Sequence, residues 1–311
     1  METETIKKSL TEREETQIDV AQIVSINRVS FADKLRAYMK RPFSFALLIL
    51  VLIAAAVTVG AVAYVVLYAL IQGIPHLKPS LFAWEWTTLN QSMLPALINT
   101  LLLAVFALLI AVPIGVFAAI FMVEYAKSTN VFVKIVRMAA ETLAGIPSIV
   151  YGLFGMIFFV KLFGWGYCLL SGICTMAIMI LPLIMRTTEE ALKAVPDSFR
   201  EGSFALGAGK LRTIFVIILP SAMPGIISGV ILGLGRVVGE TAALLYTAGS
   251  TCRIAGLMGD SRTLAVHMYL LANEGLHVGE AWATGVVLIL LVVLINGLAE
   301  FVGNKLKKEY N

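Results

Sequence analysis

Charge is the first thing this sequence has little of. Only 14% of its 311 residues are Asp, Glu, Lys or Arg, while 59% are hydrophobic; soluble domains carry about 25% charged residues. A mean hydropathy of +0.88 assigns the chain to lipid. Its 24 basic residues barely exceed its 20 acidic ones, so nothing points to nucleic acid, and the excess reads better as a record of membrane orientation. Cysteine is scarce. Cys168, Cys174 and Cys252 are odd in number and scattered, which argues against a disulfide framework or a metal spacing and leaves small buried hydrophobes. His76, His267 and His277 are scattered too, so no metal site is assigned.

Nucleotide motifs are also missing. A P-loop needs G-x-x-x-x-G-K-[ST] for its amides and lysine to hold phosphates. The nearest stretch, LGAGKLR, has Leu211 at the magnesium-binding position and lacks the first glycine. GLGRVVG, Gly233 to Gly239, has the wrong spacing for a dinucleotide fingerprint and lies in an apolar run. No cofactor and no catalytic residues are therefore expected in this chain. A cleavable leader is not expected either: the first apolar run, 43–71, exceeds the roughly 7–15 residues of a signal core and meets the roughly 20 of a spanning helix. Residues 1–41 read as a cytosolic arm whose basic end, ADKLRAYMKR, lies against lipid headgroups.

What is present is apolar length. Runs at 43–71, 95–123, 139–160, 166–185, 214–245 and 282–303 each suffice to cross a hydrocarbon core of about 30 Å. The expected fold class is an all-α integral membrane protein with six transmembrane helices over 42–304, followed by a short tail, 305–311. The fifth run is overlong, so its first part is expected to lie in the interface or to tilt. Lys161 to Trp165 reads as a tight hairpin between the third and fourth runs. With the N-terminus inside, nearly all Lys and Arg fall on one face, leaving Lys78, Lys161, Arg253 and Arg262 outside. That is the positive-inside pattern, and it makes both termini and the loop 187–213 cytosolic. The outer loops are 72–94, with Trp84 and Trp86 as interfacial anchors, and 247–281. The latter holds RTLAVHMYLLANEG, a short helix expected on the outer face, capping the bundle or touching a partner.

The cytosolic loop carries a legible pattern. Ser198-Phe199-Arg200-Glu201 fits a capping box, and Pro196 and Asp197 stop helix from entering upstream. A short helix over 199–206 then meets Gly207, suited to a left-handed cap. Gly202, Ser203 and Ala205 are small, with Phe199 and Leu206 as apolar projections, as a helix seated in a groove requires. A second helix starts near Lys210, with Pro220 as an expected bend.

Charge inside the membrane is confined. Arg236 and Glu240, four apart in the fifth run, are expected on one helical face, able to pair. An arginine at mid-membrane costs about 2.5–3.5 kcal/mol even on insertion scales, so it should face a bundle interior or water. The pair reads either as a static tie between helices or as part of a permeation path. A guanidinium there suits an oxyanion. Gly225, Gly229 and Gly233 form successive G-x-x-x-G steps for close helix contact. In the third run, Gly145 and Pro147 predict a kink whose freed carbonyls near Ser148 line a cavity. Glu141 stands at its cytosolic entrance, as a pathway group or a helix-end carboxylate. Pro113 and Gly115 mark another kink candidate.

The spacing E-x-x-x-x-x-G, nine residues, I-x-L-P at Glu201, Gly207, Ile217, Leu219 and Pro220 resembles the "EAA" loop of permease subunits of ATP-binding-cassette importers, with Gly202 and Ser203 in place of the two alanines. ETLAGIPSIVYG and GRVVGETAALLYTAG are similar to segments of phosphate-specific importer permeases, nearer the PstA-type subunit than its PstC-type sister. The resemblance spans about 43–303 and implies a MetI-like type I importer fold in a prokaryotic inner membrane. It makes 198–207 the coupling helix docked by an ATPase, and inorganic phosphate the cargo. It also implies a PstC-type sister permease, two PstB-type ATPase subunits and a PstS-type phosphate-binding protein as partners. Sulfate or molybdate as cargo is the alternative within the class, and an ion-coupled secondary transporter the alternative outside it.

Overall fold

The structure, a computed structural model, describes residues 42–126 and 130–310, and all regular structure among them is helical. The N-terminal arm, 1–41, and Lys127 lie outside the described residues. Contacts divide the chain into two units, Met1–Leu67 and Tyr68–Asn311. Helix α1, Pro42–Gly73, supplies the described part of the first. It contains no charged residue, and Thr58 turns its hydroxyl back to the Ala54 carbonyl at 2.9 Å, hiding its polar group within the helix.

The second unit is a helical bundle in which backbone groups are satisfied segment by segment, as hydrocarbon demands. Its helices are α2 (Leu94–Tyr125), α3 (Val131–Ala144), α4 (Ser148–Leu162), α5 (Leu169–Lys193), α6 (Asp197–Ala205), α7 (Lys210–Gly239), α8 (Ala242–Leu245), α9 (Leu264–Glu274) and α10 (Val278–Tyr310). Among the described residues five helices, α1, α2, α5, α7 and α10, are long and apolar enough to cross a membrane; α3 and α4, bent by 104° at their break, add a sixth where the pair is counted as one broken span.

Helix α5 is the axis of the bundle and its most buried span. Leu169, Ile173, Met176 and Ile180 pack at mid-height against Leu103 of α2, Val237 of α7 and Leu244 of α8. Nearer α6, Ile120, Val133, Leu192, Ile214 and Ile218 form a second core, and at the opposite end Leu81, Met93, Cys252 and Leu264 form a third. The glycine steps of α7 do what their spacing predicts. A Cβ at Gly225 would stand 2.6 Å from that of Ala191, one at Gly229 would collide with Thr187, and one at Gly233 would come within 3.1 Å of Ile184. Ile184 is also the neighbour of Gly115 on α2, so this one buried side chain fills the space that two glycines leave.

Several expectations change. The third run is not one kinked helix: Gly145 to Pro147 separate α3 from α4 outright, because Pro147 cannot donate an amide and α3 is closed by Gly145 and Ile146 amides on the Thr142 and Leu143 carbonyls. The fifth run is likewise two helices, with the break at Glu240 and not at Pro220. A π-helical turn at Thr213–Ile218 absorbs the missing proline amide, so α7 passes Pro220 without a sharp bend. Helix α2 runs through Pro113 unbroken. The fourth run continues to Lys193, shortening the loop expected from 187, and α10 takes in 305–310. The helix in the last outer loop ends at Gly275 (φ 73°) as expected, but it is not laid on the surface, since Leu264, Val266, His267 and Leu271 are buried. Trp84 is exposed, whereas Trp86 folds under Arg262, whose guanidinium carbon is 5.3 Å from its ring centre.

Gly229→Ala therefore drives a methyl into Thr187, and about 1–3 kcal/mol of stability should be lost. Gly235→Ala, with only Asn296 Oδ1 nearby at 3.8 Å, should be neutral or slightly stabilising because alanine is the better helix former. Thermal unfolding of the two variants in detergent checks the contrast.

Candidate functional site

Two groups of candidate residues lie far apart along the chain, and the structure treats them differently. The first is the loop between α5 and α7. Helix α6 starts two residues earlier than expected, with Pro196 at its N-cap and no side-chain cap. The capping box is therefore not formed: Asp197 occupies the first turn, placing Ser198 and Glu201 inside the helix, both exposed. At the other end the expectation holds in detail. Gly207 has φ 80°, its amide donates to Phe204 O at 2.9 Å, and the Ala208 amide reaches back to Ser203 O at 3.1 Å. These are the paired bonds of a Schellman motif, which only an unstrained left-handed residue permits.

The loop's side chains divide between two faces. Phe199, Glu201, Gly202, Leu206 and Gly207 are exposed, and Leu206 is 90% exposed. Ser203 is not on that face. It is buried and shares a 2.8 Å hydrogen bond with Thr213, tying α6 to the base of α7. Arg200, which sequence reasoning passed over, points inward as well. Its Nη2 and Nε donate to Glu124 Oε1 at 2.8 and 3.1 Å, and its guanidinium also binds Asp197 and the Leu192 and Val195 carbonyls. The signal for this pairing was slight: Glu124 follows an apolar run directly, where a carboxylate is ordinarily solvated. Behind α6, Val195, Phe199, Ile217 and Pro220 line an apolar groove of about 590 Å³.

The second group surrounds the two helix breaks. Arg236 is half-buried in the last turn of α7, and Glu240 follows that helix in extended conformation, φ −75° and ψ 130°. The expected pair on one helical face is not formed, because the helix ends between them. Glu240 Oε1 instead accepts from the Ala243 amide at 3.2 Å, capping α8. No ion pair or hydrogen bond to Arg236 occurs among the described residues. The Tyr151 hydroxyl donates to the Leu143 carbonyl at 2.8 Å across the α3–α4 break. That carbonyl is thus claimed, contrary to the expectation of freed carbonyls there. Ser148 opens α4 and is half-buried. Helices α4 and α8 meet through Gly152, where a Cβ would stand 2.7 Å from Ala243 Cα. The two breaks are therefore adjacent in space. Glu141 lies elsewhere, exposed beside an ionic cluster in which Glu189 takes Arg137 Nε at 2.7 Å and Lys193 Nζ at 2.6 Å.

Residues 111–308 match the family described as binding-protein-dependent transport system inner membrane component. The chain belongs to this family. It is 34% identical over 281 residues to the probable ABC transporter permease protein YqgI of Bacillus subtilis, covering 83% of this chain and 92% of that one. It is also 34% identical over 224 residues to phosphate transport system permease protein PstA 1 of Mycobacterium tuberculosis, covering 68% and 73%. Among solved structures, the fold resembles a chain of the inward-facing MetNI methionine ABC transporter (TM-score 0.55, 22% identity, 70% of this chain and 95% of that one). It also resembles a chain of a bacterial alginate ABC transporter in complex with an alginate-bound periplasmic protein (TM-score 0.61, 16% identity, 88% and 98%). Permeases of this family are multi-pass inner-membrane subunits that work with ATPase and substrate-binding partners, and this chain is an ABC importer permease subunit of that kind.

Away from both groups, His267 on α9 is fully buried. Burial, reinforced by the Arg262 charge, holds its pKa at about 3, below the ordinary 6.5. An unfolded chain then binds the extra proton first. Stability is full above pH 6.5 and falls as the pH drops towards 3. Thermal midpoints measured across this range should decline for the native permease, and His267→Gln should flatten the decline.

Proposed function

We propose that this permease carries inorganic phosphate inward, driven by ATP hydrolysis on a separate subunit. It forms half of the path with a PstC-type sister, receives cargo from a PstS-type binding protein outside, and is engaged by PstB-type ATPases in the cytosol. The orientation rests on the positive-inside pattern, with both termini and α6 cytosolic. The observation that supports an anionic cargo most is Arg236: a half-buried guanidinium at the α7–α8 break, with no carboxylate bound to it among the described residues. Its planar donors match phosphate-type oxygens. The relatives named as phosphate permeases favour phosphate within that class.

In this reading Arg236 meets the cargo. Glu240 acts at one remove, fixing α8 and limiting how tightly an anion is held; a site that bound too tightly would trap its cargo. Ser148, at the start of α4, lies in the adjoining break, and Glu141 serves the cytosolic end of the route. Ser198, Phe199, Glu201, Gly202, Leu206 and Gly207 form the ATPase-facing surface, and Ser203 holds that surface to α7.

Arg236→Ala should cut phosphate uptake by about ten-fold or more, the scale of a lost charged recognition bond, in membranes where the complex still assembles. Normal uptake there would remove Arg236 from the path. Competition by unlabelled sulfate or molybdate, if as strong as by phosphate, would transfer the cargo assignment. Replacing Glu201 and Gly207 together should release the ATPase during gentle purification; its retention would end the docking role.

A further inference from the structure

Helix α6 presents one face outward and is held by the other. Phe199, Phe204 and Leu206 are exposed, while Arg200 beneath them makes its bonds to Glu124, Asp197 and the Leu192 and Val195 carbonyls. The Arg200 and Glu124 side chains are only 16% and 8% exposed. A largely desolvated pair of this kind is costly to separate, and both guanidinium bonds to Glu124 fix its orientation as a lysine ammonium cannot. Arg200 thus joins α6 to the carbonyl end of α5 and to the last turn of α2.

Helix α2 is suited to carry a displacement. It is continuous from Leu94 to Tyr125, with Glu124 in the π-helical turn at Phe121–Tyr125. At the opposite end, Asn99 Nδ2 donates to the Arg253 and Arg262 carbonyls at 2.8 and 3.3 Å, and Thr100 Oγ1 accepts from the Leu264 amide at 2.8 Å. Those bonds hold the loop before α9 and the start of α9 itself. Of the other spans, α3 and α4 are bent by 104° and α7 stops at Gly239, while α5 is continuous and reaches the same loop through the Leu169 and Leu170 amides on the Gly259 and Leu257 carbonyls.

We propose that Arg200 is the positioning residue that locks α6 to α2, so that ATPase movement at α6 is delivered along α2 to the loop around Arg253 and Arg262. This rests on α6 being the ATPase-docking helix. Arg200 touches no cargo; it sets how much of the ATPase stroke reaches the far end.

The test uses the whole complex in proteoliposomes with Arg200→Lys, Glu124→Gln and the double variant, following ATP hydrolysis and phosphate uptake together. The ATPase should still co-purify, since the exposed face of α6 is untouched. Phosphate moved per ATP should fall by about ten-fold, within the usual range of coupling between sites. The double variant should be no worse than Arg200→Lys alone, because that substitution already breaks the contact that Glu124→Gln removes. An unchanged phosphate-to-ATP ratio overturns the proposal. Loss of the ATPase from the variants also overturns it, by reducing Arg200 to shaping the docking surface. Failure of the underlying reading looks different: the wild-type complex would itself retain no ATPase or show no ATP-driven uptake.

Discussion

Gly225, Gly229 and Gly233 remove the side chains that would hold α7 away from α5, and most of the bundle follows from that approach. With the two helices this close, Ile184 fills the gap towards Gly115 of α2, and three helices share one buried side chain. In hydrocarbon there is little hydrophobic reward for helix association, so close van der Waals contact has to supply it. The same approach brings the end of α7 level with α4, where Gly152 lets α8 in. Two interrupted helices thereby come side by side, with Gly145, Pro147 and Gly239 exposed at the breaks.

Charges are distributed according to what each can be paired with. Near α6, Arg200 and Glu124 are half-buried and mutually satisfied, and Glu189 serves both Arg137 and Lys193. At the α7–α8 break the pattern reverses. Glu240 is spent on a backbone amide, and Arg236 keeps its donors unengaged among the described residues. A guanidinium left in this way within a span is costly.

Much of the fold was legible in the chain. The apolar runs marked the passages, the glycine steps marked the α5–α7 contact, and Gly207 marked the end of α6. Where local rules met tertiary packing, they lost. Ser198 and Glu201 have the spacing of a capping box, yet Pro196 begins the helix earlier, and the two side chains stay in solvent. Arg236 and Glu240 have the spacing of a helical pair, yet the helix stops at Gly239. Pro220 reads as a bend, yet a π-helical turn absorbs it. The helix 264–274 reads as interfacial because its apolar residues are spaced for one face, and its burial depends on α2 and α10, which no local window contains.

Membrane residence, the polar loop and its glycine stop were determined by the sequence alone. Each depends on composition or on spacing within about one turn of helix or one membrane thickness. Tertiary structure alone decided that Arg200 finds Glu124, 76 residues away, that Glu240 turns from Arg236 to α8, and that the two breaks adjoin. Those outcomes depend on which helices approach one another, and only packing across the whole bundle fixes the partner that a buried charge or an open carbonyl will have.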